Sequence, residues 1–413
     1  MEVKRSETID YQQSVKRDSS YRHMVIKQQT GADDATVGNS QITSVFELPA
    51  VSMNLAESFL NFNQVVPAQG ANVVSNAWRH TPPIARMELL TRGGQYLMDV
   101  QNFQEFVLSN GRRNKKIEDV SSTTNNDITV MTAGDRNVIQ TTEQSAADTA
   151  QTIRWRIAFK ELYETCLSLN KSIYLNEVLL LRVTWAPSTF QGWGSAADLT
   201  NPADLAGNVV INNLQVLLAQ EMNPSVDAAL RGAVSGGQGL SMIIPYPHVY
   251  KTNISAGTSQ SVAIRASRGH GYSLERVYTL FKTGVESQAT RFDAKRSEFT
   301  SFYNLLNSRR MSEFDYKVAG DDTDIVWLKR NDYKGLIVSA EPENLNDNLC
   351  WEDSFCDARQ CAINQHVAGL SLEGAEIKYD LYATKANGNA TNYFTSLICQ
   401  KRLSVSPAGL SVL

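Results

Sequence analysis

Short runs in which apolar and polar residues alternate recur along most of the chain. They are rich in Val, Ile, Phe and Tyr, and turn-forming residues separate them, which is typical of β-strands. Strand side chains alternate between two faces, so these runs predict sheets that bury one face. The predicted strands are 45–51, 59–66, 84–90, 96–100, 128–131, 153–159, 173–185, 209–218, 241–250, 261–266, 274–281, 325–328, 335–340, 376–383 and 393–405.

The last two runs are predicted to form a β-hairpin. Segment 376–383 alternates apolar and charged residues, and segment 393–405 would pair with it across the turn Asn387-Gly388. An Asn-Gly pair favours the tight turns that join antiparallel strands. The residues expected to face inward are Ile377, Tyr379 and Leu381, and those expected to face outward are Lys378 and Asp380.

Helices are few. Asn102 could cap a short helix with Phe103, Phe106 and Val107 on one face, which Asn110-Gly111 would end. A second short helix is predicted from the spacing of Phe299, Phe302 and Leu306. A third begins at Asn223-Pro224-Ser225 and ends near Gly236-Gly237.

The two halves resemble each other. Segment 84–92 (IARMELLTR) is similar in sequence to segment 274–282 (LERVYTLFK). Each is followed by a predicted short helix with paired aromatic residues and then by a similar ending, Asn110-Gly-Arg-Arg113 in the first half and Asn307-Ser-Arg-Arg310 in the second. This predicts a duplicated domain.

A chain of 413 residues exceeds what one hydrophobic core usually serves. We expect an N-terminal arm over 1–40, which lacks a sustained apolar period and would order only against a partner. A first sandwich is expected over 41–222 and a second over 223–413. The long polar stretch 112–150 is expected to form a surface loop or tower. The fold class is therefore all-β: two tandem antiparallel β-sandwiches of the jelly-roll kind, with few helices.

The composition of the chain narrows the classes of function that it could have. The chain has 43 acidic and 39 basic residues and a net charge of −4, so it offers no broad positive field for a nucleic-acid backbone. The N-terminus lacks the apolar stretch of a secretory signal, and no apolar run is long enough to span a membrane. The five cysteines (Cys166, Cys350, Cys356, Cys361 and Cys399) are odd in number and mostly far apart, which predicts reduced thiols.

No compact catalytic motif is present: there is no Gly-x-Ser-x-Gly, phosphate loop, His-Glu-x-x-His or Cys-x-x-Cys. We therefore predict no enzyme and no catalytic, cofactor or metal residues. Five histidines are scattered along the chain, and only long-range convergence could bring them together. They are His23, His80, His248, His270 and His366.

Several local patterns have both a functional and a plain interpretation. Cys350, Cys356 and Cys361 with His366 have spacings unlike a zinc knuckle, which favours ordinary thiols. Segment 320–324 (GDDTD) lacks the spaced ligands of a calcium loop, which favours a polar turn. Segments 269–271 and 234–239 are glycine-rich but do not lead from a strand into a helix as a phosphate-binding turn does, which favours loops.

Two segments could contact partners. The basic run 112–116 (RRNKK) could touch nucleic acid, but Glu118 and Asp119 follow it, which favours a solvated turn or a subunit contact. Segment 190–193 (FQGW) is the candidate aromatic platform if the protein were a lectin-like or receptor-binding module.

With this architecture the sequence resembles the double jelly-roll major capsid proteins of icosahedral DNA viruses. The resemblance covers about residue 43 to the end and lies in loose apolar spacing. The segments that carry it are 46–49 leading to 60–62, 86–99, 153–163 before 179–185, and 324–329 followed by 334–337.

The resemblance implies a homotrimer whose six jelly rolls form a pseudo-hexagonal block that tiles an icosahedral shell. It further implies contacts with neighbouring capsomers and with minor capsid or penton proteins, and contact of the arm with these or with an internal membrane. The expected location is the virion shell. The alternatives are a two-domain β-sandwich binding module, such as a viral spike or minor capsid protein, and a glycosidase, for which no carboxylate pair stands out.

Overall fold

The structure is a computed structural model of the 413-residue chain. It describes residues 20–29, 35–37, 41–67, 72–75, 82–114, 144–145, 150–188, 191–195, 203–204, 207–236, 239–254, 259–283, 299–317, 350–355, 369–385 and 391–412. The predicted strands 128–131, 325–328 and 335–340 lie outside these residues, as does the turn Asn387-Gly388.

The first half builds three antiparallel sheets. Sheet 1 contains β1, β2, β4, β9, β10 and β14; sheet 2 contains β3, β6, β7 and β11; the small sheet 3 contains β5, β8, β12 and β13. The strands are β1 (Tyr21–Lys27), β2 (Ala35–Val37), β3 (Thr43–Leu48), β4 (Met53–Val66), β5 (Asn72–Ser75), β6 (Ile84–Thr91), β7 (Tyr96–Gln101), β8 (Gln144–Ser145), β9 (Gln151–Ala158), β10 (Ser172–Ile173), β11 (Leu179–Trp185), β12 (Gly192–Ser195), β13 (Ala203–Asp204) and β14 (Val209–Glu221).

The second half builds two antiparallel sheets. Sheet 4 contains β15, β17, β21, β22, β24 and β25, and sheet 5 contains β16, β18, β19, β20 and β23. The strands are β15 (Leu240–Ile254), β16 (Ser259–Ala266), β17 (Ser273–Thr283), β18 (Phe299–Leu306), β19 (Arg309–Arg310), β20 (Tyr316–Lys317), β21 (Cys350–Ser354), β22 (Leu370–Ser371), β23 (Ile377–Lys385), β24 (Thr391–Ser406) and β25 (Gly409–Val412).

Two α-helices lie in the described residues, α1 (Phe103–Asn114) and α2 (Pro224–Ser235), together with 3-10 turns at Phe159–Glu161 and Cys166–Ser168. Helix α2 joins the two halves where the sequence predicts it. Its cap is the Asn223 side chain, which accepts a hydrogen bond from the Ser225 N–H at 3.0 Å, and Pro224 occupies the first turn. Both residues favour a helix start at this position.

The two halves repeat one strand order. In the first half, sheet 1 runs β1-β14-β4-β9 and sheet 2 runs β3-β11-β6-β7. In the second half, sheet 4 runs β15-β24-β17-β21 and sheet 5 runs β16-β23-β18-β19. With the eight main strands of each half numbered along the chain, both halves have the orders first-eighth-third-sixth and second-seventh-fourth-fifth. This is the jelly-roll topology, so the predicted fold class is confirmed.

The core of the first sandwich lies between sheets 1 and 2. Alternate residues of β4, β9 and β11 point into it, as their strand pattern predicts. Phe62 packs between Trp155, at 5.9 Å between ring centroids, and Trp185, at 4.8 Å. Both indole N–H groups are satisfied, since Trp155 donates to Gln64 Oε1 at 2.9 Å and Trp185 donates to Ser44 Oγ at 2.9 Å.

The central strands of sheet 4, β17 and β24, are buried on both faces over 273–280 and 392–400. On β17, Val277 packs into the core of the second sandwich. The next residue, Tyr278, points to the opposite face and packs against the core of the first sandwich. On β24, Leu397 and Ile398 divide in the same way. Strands covered on both sides are continuously apolar instead of alternating. Sheet 4 is therefore the layer at which the two sandwiches meet.

The predicted hairpin between 376–383 and 393–405 is wrong in its pairing. Strand β23 pairs with β16 and β18 in sheet 5, whereas β24 pairs with β15 and β17 in sheet 4. The inward alternation is nevertheless confirmed, because Ile377, Tyr379 and Leu381 are buried and Lys378 is exposed. In a jelly roll, the seventh and eighth strands lie in different sheets, and an alternation pattern does not specify which sheet a strand joins.

The predicted helix around Phe299 to Leu306 is strand β18. Its inward positions are Phe302 and Asn304, and a buried Asn interrupts the apolar alternation that would have marked a strand. Asn304 donates a hydrogen bond from Nδ2 to Asp353 Oδ2 at 2.8 Å. The ending Asn307-Ser308 is a two-residue turn with φ of 49° and 65° between β18 and β19.

The sequence similarity between segments 84–92 and 274–282 does not match equivalent strands of the two halves. Segment 84–92 contains β6, the fourth strand of its sandwich, whereas segment 274–282 lies in β17, the third strand of its own. In addition, α1 continues past Gly111 to Asn114, so the predicted stop there is wrong and the first residues of the basic run 112–116 are helical. The duplication is visible in the topology and not in these segments.

Part of the predicted arm belongs to the first sandwich. Strand β1 pairs with β14 over its whole length, from Tyr21 opposite Glu221 to Lys27 opposite Gln215, and it supplies the first strand of the jelly roll. The expectation that residues before 41 order only against a partner is therefore wrong for 21–27 and for 35–37, because β2 also pairs with β14. The strand has a weak sequence signal, because β1 lies at a sheet edge and only Tyr21, Met24 and Ile26 are partly buried.

Candidate functional site: the seam between the sandwiches and the exposed sheet faces

The seam between the two sandwiches is formed by sheet 4 and one side of the first sandwich. Strand β15 packs against β7, strand β17 packs against α1, and α2 packs against β24. Leu410, on β25, donates its N–H to Glu177 Oε1 at 3.0 Å across the seam. The apolar core is continuous here, because Leu403 and Val405 of β24 join the cluster that fills the first sandwich.

A buried ion pair crosses this seam. Arg276, at 1% exposure, donates from Nη1 to Glu164 Oε1, and Glu164 is 2% exposed. Tyr278 donates its hydroxyl to the same carboxylate oxygen at 3.3 Å. Arg276 follows a register shift in the pairing of β17 with β24, and Glu164 has a φ of 61°. This left-handed backbone conformation is uncommon for a residue other than glycine.

A second polar group, which we call the edge cluster, lies where β15 faces β7. It contains Tyr246, His248, Tyr250, His270 and Lys401. The rings of His248 and His270 are 4.8 Å apart between centroids, and the Lys401 ammonium lies 3.8 Å from the centroid of Tyr246. Because His248 and His270 are 22 residues apart in sequence and meet through the fold, spacing along the chain gave no signal for the edge cluster.

Burial governs the titration of the edge cluster. It lowers the pKa of His248 to about 4; the hydrogen bond to the His270 carbonyl opposes this shift, and the charges of His270 and Lys401 add to it. It also lowers the pKa of His270 and of the Lys401 ammonium. The cluster therefore contains neutral histidines at neutral pH.

The outer face of sheet 5 carries an aromatic stack. Tyr303 and Tyr382 are cross-strand partners whose rings are 5.1 Å apart and 6° from parallel, and the Arg310 guanidinium lies 4.3 Å from the Tyr303 centroid. Tyr382 is 37% exposed. The other large apolar side chains that are markedly exposed in the described residues are Val25, Tyr96, Met222, Ile243, Tyr250, Met311 and Phe314.

The remaining predicted candidates do not assemble into a site in the described residues. His23 is exposed and contacts the Glu57 carbonyl oxygen at 3.0 Å through Nε2. His80, His366, Cys356, Cys361 and segment 320–324 lie outside the described residues, and the Cys350 side chain is not described. No group of three metal-binding side chains occurs in the part of the chain that the structure describes.

Cys166 and Cys399 are free and buried. Burial raises the pKa of each thiol to about 12, so both act as small apolar side chains. Segment 269–271 lies in the turn between β16 and β17, as the loop interpretation predicts. Of the proposed aromatic platform 190–193, Gln191 is fully buried and donates to the Ala186 carbonyl at 2.6 Å, so this residue offers no exposed surface. Among the described helices, none is long and apolar enough to cross a membrane.

The strand orders and the shared sheet 4 define the class: the chain is a double jelly-roll protein. Solved structures of this fold match along almost the entire chain. The PBCV-1 protein VP54, whose crystal structure was fitted into a reconstruction of the virophage Sputnik, superimposes with a TM-score of 0.63 at 10% identity, covering 96% of this chain and 97% of VP54.

Two further structures are major capsid proteins by name. The faustovirus protein has a TM-score of 0.57 at 9% identity, covering 94% of this chain and 91% of its own. The mavirus protein has a TM-score of 0.54 at 10% identity, with 95% and 90% covered. Neither a family model nor a curated protein matches the sequence. The similarity is therefore one of fold, and it spans both sandwiches together.

Proposed function

We propose that this protein is the major capsid protein of an icosahedral DNA virus. The observation that carries the proposal is the match of both sandwiches, as one unit, to the faustovirus and mavirus major capsid proteins over at least 90% of each chain. A binding module could use a single sandwich. A trimer with six similar blocks needs two sandwiches per chain in a fixed relation, and the buried seam of this protein provides that relation.

The proposed assembly is a homotrimer. Three copies of two similar sandwiches place six similar blocks around one axis, which gives a threefold particle a nearly hexagonal outline suited to tiling. The long connections between strands would project from the block, and the sheet faces would form its sides. The proposed location is the virion shell, and the function requires no catalysis.

The proposed contacts are mainly with the protein itself. The aromatic stack of sheet 5 and the exposed side chains of β1 and β15 are the candidate contact surfaces between copies. The segment before β1 is the candidate contact with minor capsid proteins or an internal membrane. The net charge of −4 supports no role in direct genome binding.

The experiment that tests the proposal is a mass measurement by light scattering on the purified protein, with negative-stain imaging as concentration is raised. We expect a particle of three times the chain mass of 45.8 kDa with a hexagonal outline, and sheets or shells at high concentration. A compact monomer that never assembles would overturn the proposal. Glycan binding by such a monomer would support the binding-module alternative instead.

A further inference from the structure

Three apolar side chains form a row on the outer face of sheet 1, opposite the core. Val25 of β1 pairs with Leu217 of β14, which pairs with Phe59 of β4, so the three side chains lie side by side. Their chain neighbours Leu218 and Leu60 point the other way and are buried in the core. Val25 is 59% exposed, and the other two are half-buried. The solvated face of an antiparallel sheet normally carries polar residues, so this row is unusual for a face that stays in water.

Basic side chains border the apolar row. The next row on the same face consists of the cross-strand partners Lys27, Gln215, Asn61 and Arg156. The Arg156 guanidinium lies 4.2 Å from the centroid of the Phe59 ring. We call these two rows together the sheet 1 face. It has an apolar centre and a basic border.

The equivalent face of the second sandwich is buried in the seam. Sheets 1 and 4 have the same strand order, so β15 and β17 of sheet 4 are the equivalents of β1 and β4. In the seam, β15 packs against β7, the fifth strand of the first sandwich, and β17 packs against α1, which follows β7. The chain therefore already contains one contact between a face of this kind and the fifth strand of another sandwich.

The fifth strand of the second sandwich is β19, and the segment that follows it displays two apolar side chains. Met311 is 36% exposed and Phe314 is 46% exposed. The Met311 N–H donates to the Asn304 carbonyl at 3.0 Å, which holds the segment on β18. The Phe314 ring packs edge-on against the Tyr316 ring, with 5.5 Å between centroids. Glu313, exposed between them, carries the charge opposite to that of the basic border.

The aromatic stack of sheet 5 adjoins this segment. Arg310 precedes Met311 and lies over the Tyr303 ring, which stacks on Tyr382. We call segment 311–314 together with this stack the sheet 5 rim. Aromatic residues, Met and Arg are enriched in protein interfaces, and the sheet 5 rim displays all of them.

We propose that the sheet 1 face of one copy packs on the sheet 5 rim of the next copy, in the way that sheet 4 packs on β7 and α1 within the chain. The two surfaces differ, so the contact is heterologous, and it closes after three copies when six sandwiches surround one axis. Three seams within chains then alternate with three contacts between chains. The inference rests on the proposed trimer and names the surfaces that build it.

The test uses two variants of the full-length chain, one for each surface. V25E/K27E places two carboxylates on the sheet 1 face, and M311E/F314E places two on the sheet 5 rim. A carboxylate that enters a contact without a partner loses its hydration. We expect each variant to be a monomer by light scattering at a concentration at which the wild type is a trimer, with an affinity at least about 100-fold lower.

Mixing the two variants distinguishes this contact from one between like surfaces. Each variant keeps the surface that the other has lost, so a 1:1 mixture should form a complex of two chains and none of three. If like surfaces paired with each other, at least one of the variants would form a dimer on its own, and this result would overturn the proposal.

The matched control is R22E, which reverses a charge on the same strand. Arg22 is exposed and lies three residues before Val25, so its side chain points to the opposite face of β1. This variant should remain a trimer. Circular dichroism and thermal unfolding establish that the monomeric variants are folded. If a double variant does not fold, V25E or F314E takes its place, because each changes one exposed position.

Trimers of either folded variant at the affinity of the wild type would overturn the proposed contact and leave the capsid function standing. Loss of the trimer in R22E would do the same, because the effect would then not depend on the face. A wild-type protein that stays a monomer at every concentration would overturn both proposals.

Discussion

At the scale of single residues, the seam is organised by polar groups in an apolar setting. Arg276 and Glu164 have lost nearly all contact with water, so each depends on the other for its charge. Such a pair adds little net stability compared with apolar residues of the same size, but it penalises arrangements in which the partners are apart. We infer that it fixes the orientation of the second sandwich on the first.

Replacing Arg276 with methionine should be strongly destabilising. The Glu164 carboxylate would stay buried without its guanidinium partner, and breaking such a pair costs about 3–5 kcal/mol. Chemical unfolding of the variant and the wild type at pH 7.5 measures the loss. The matched variant E164Q/R276M removes both charges and should recover more than half of it. If the double variant is no more stable than R276M, the ion pair is not the cause.

At the scale of elements, the sequence predicts where the strands lie better than it predicts which strands pair with each other. Alternation at Ile377, Tyr379 and Leu381 identified β23, and Asn223-Pro224 identified the start of α2, because both signals are local. The pairing of β23 and β24 was missed because sheet membership depends on contacts between distant segments. The run 393–400 lacks the alternation of apolar and polar residues, which is typical of a strand buried on both faces. The structure buries this run on both faces.

Strand β1 provides a prediction about the N-terminal segment. Removing residues 1–28 would delete the strand, expose the edge of β14 and uncover apolar surface that Met24 and Ile26 now help to cover. The expected loss is about 3 kcal/mol or more, with increased aggregation through the open edge. Removing only residues 1–19 keeps every pairing of β1 and is the control. Equal thermal midpoints for the two truncations would contradict a structural role for β1.

Removing the N-terminal cap of α2 should reduce the stability of the protein less than deleting β1 does. Replacing Asn223 with alanine removes the side-chain acceptor of the Ser225 N–H and should cost about 1 kcal/mol in chemical unfolding. N223S restores an acceptor and should regain most of this. A loss well above about 2 kcal/mol, the upper end for a helix cap, would mean that the cap also holds the seam, since α2 packs against β24.

At the scale of the whole molecule, fold class and architecture were within reach of the sequence, and the edge cluster was not. Chain length and strand content predicted two sandwiches, because each core must bury enough apolar surface. The meeting of His248 with His270, and of Glu164 with Arg276, depends on the packing of complete sheets. No local pattern encodes such contacts, which is why scattered histidines and glutamates gave no sign of them.

Because the central strands of sheet 4, β17 and β24, are buried on both faces, the protein should behave as one cooperative unit. Calorimetry of the intact chain is expected to show a single transition, since unfolding either sandwich would bare a layer lined by Tyr278 and Ile398 or by Val277 and Leu397. Two well-separated transitions would contradict this.

The same shared layer limits how the protein can be dissected or evolve. A gene fragment encoding residues 239–413 alone would present the seam side of sheet 4 to solvent, and its product should collect in inclusion bodies. In the same way, neither half can be exchanged for a foreign jelly roll unless the seam residues are exchanged with it. The two halves share one topology, but neither can be removed or replaced without the other.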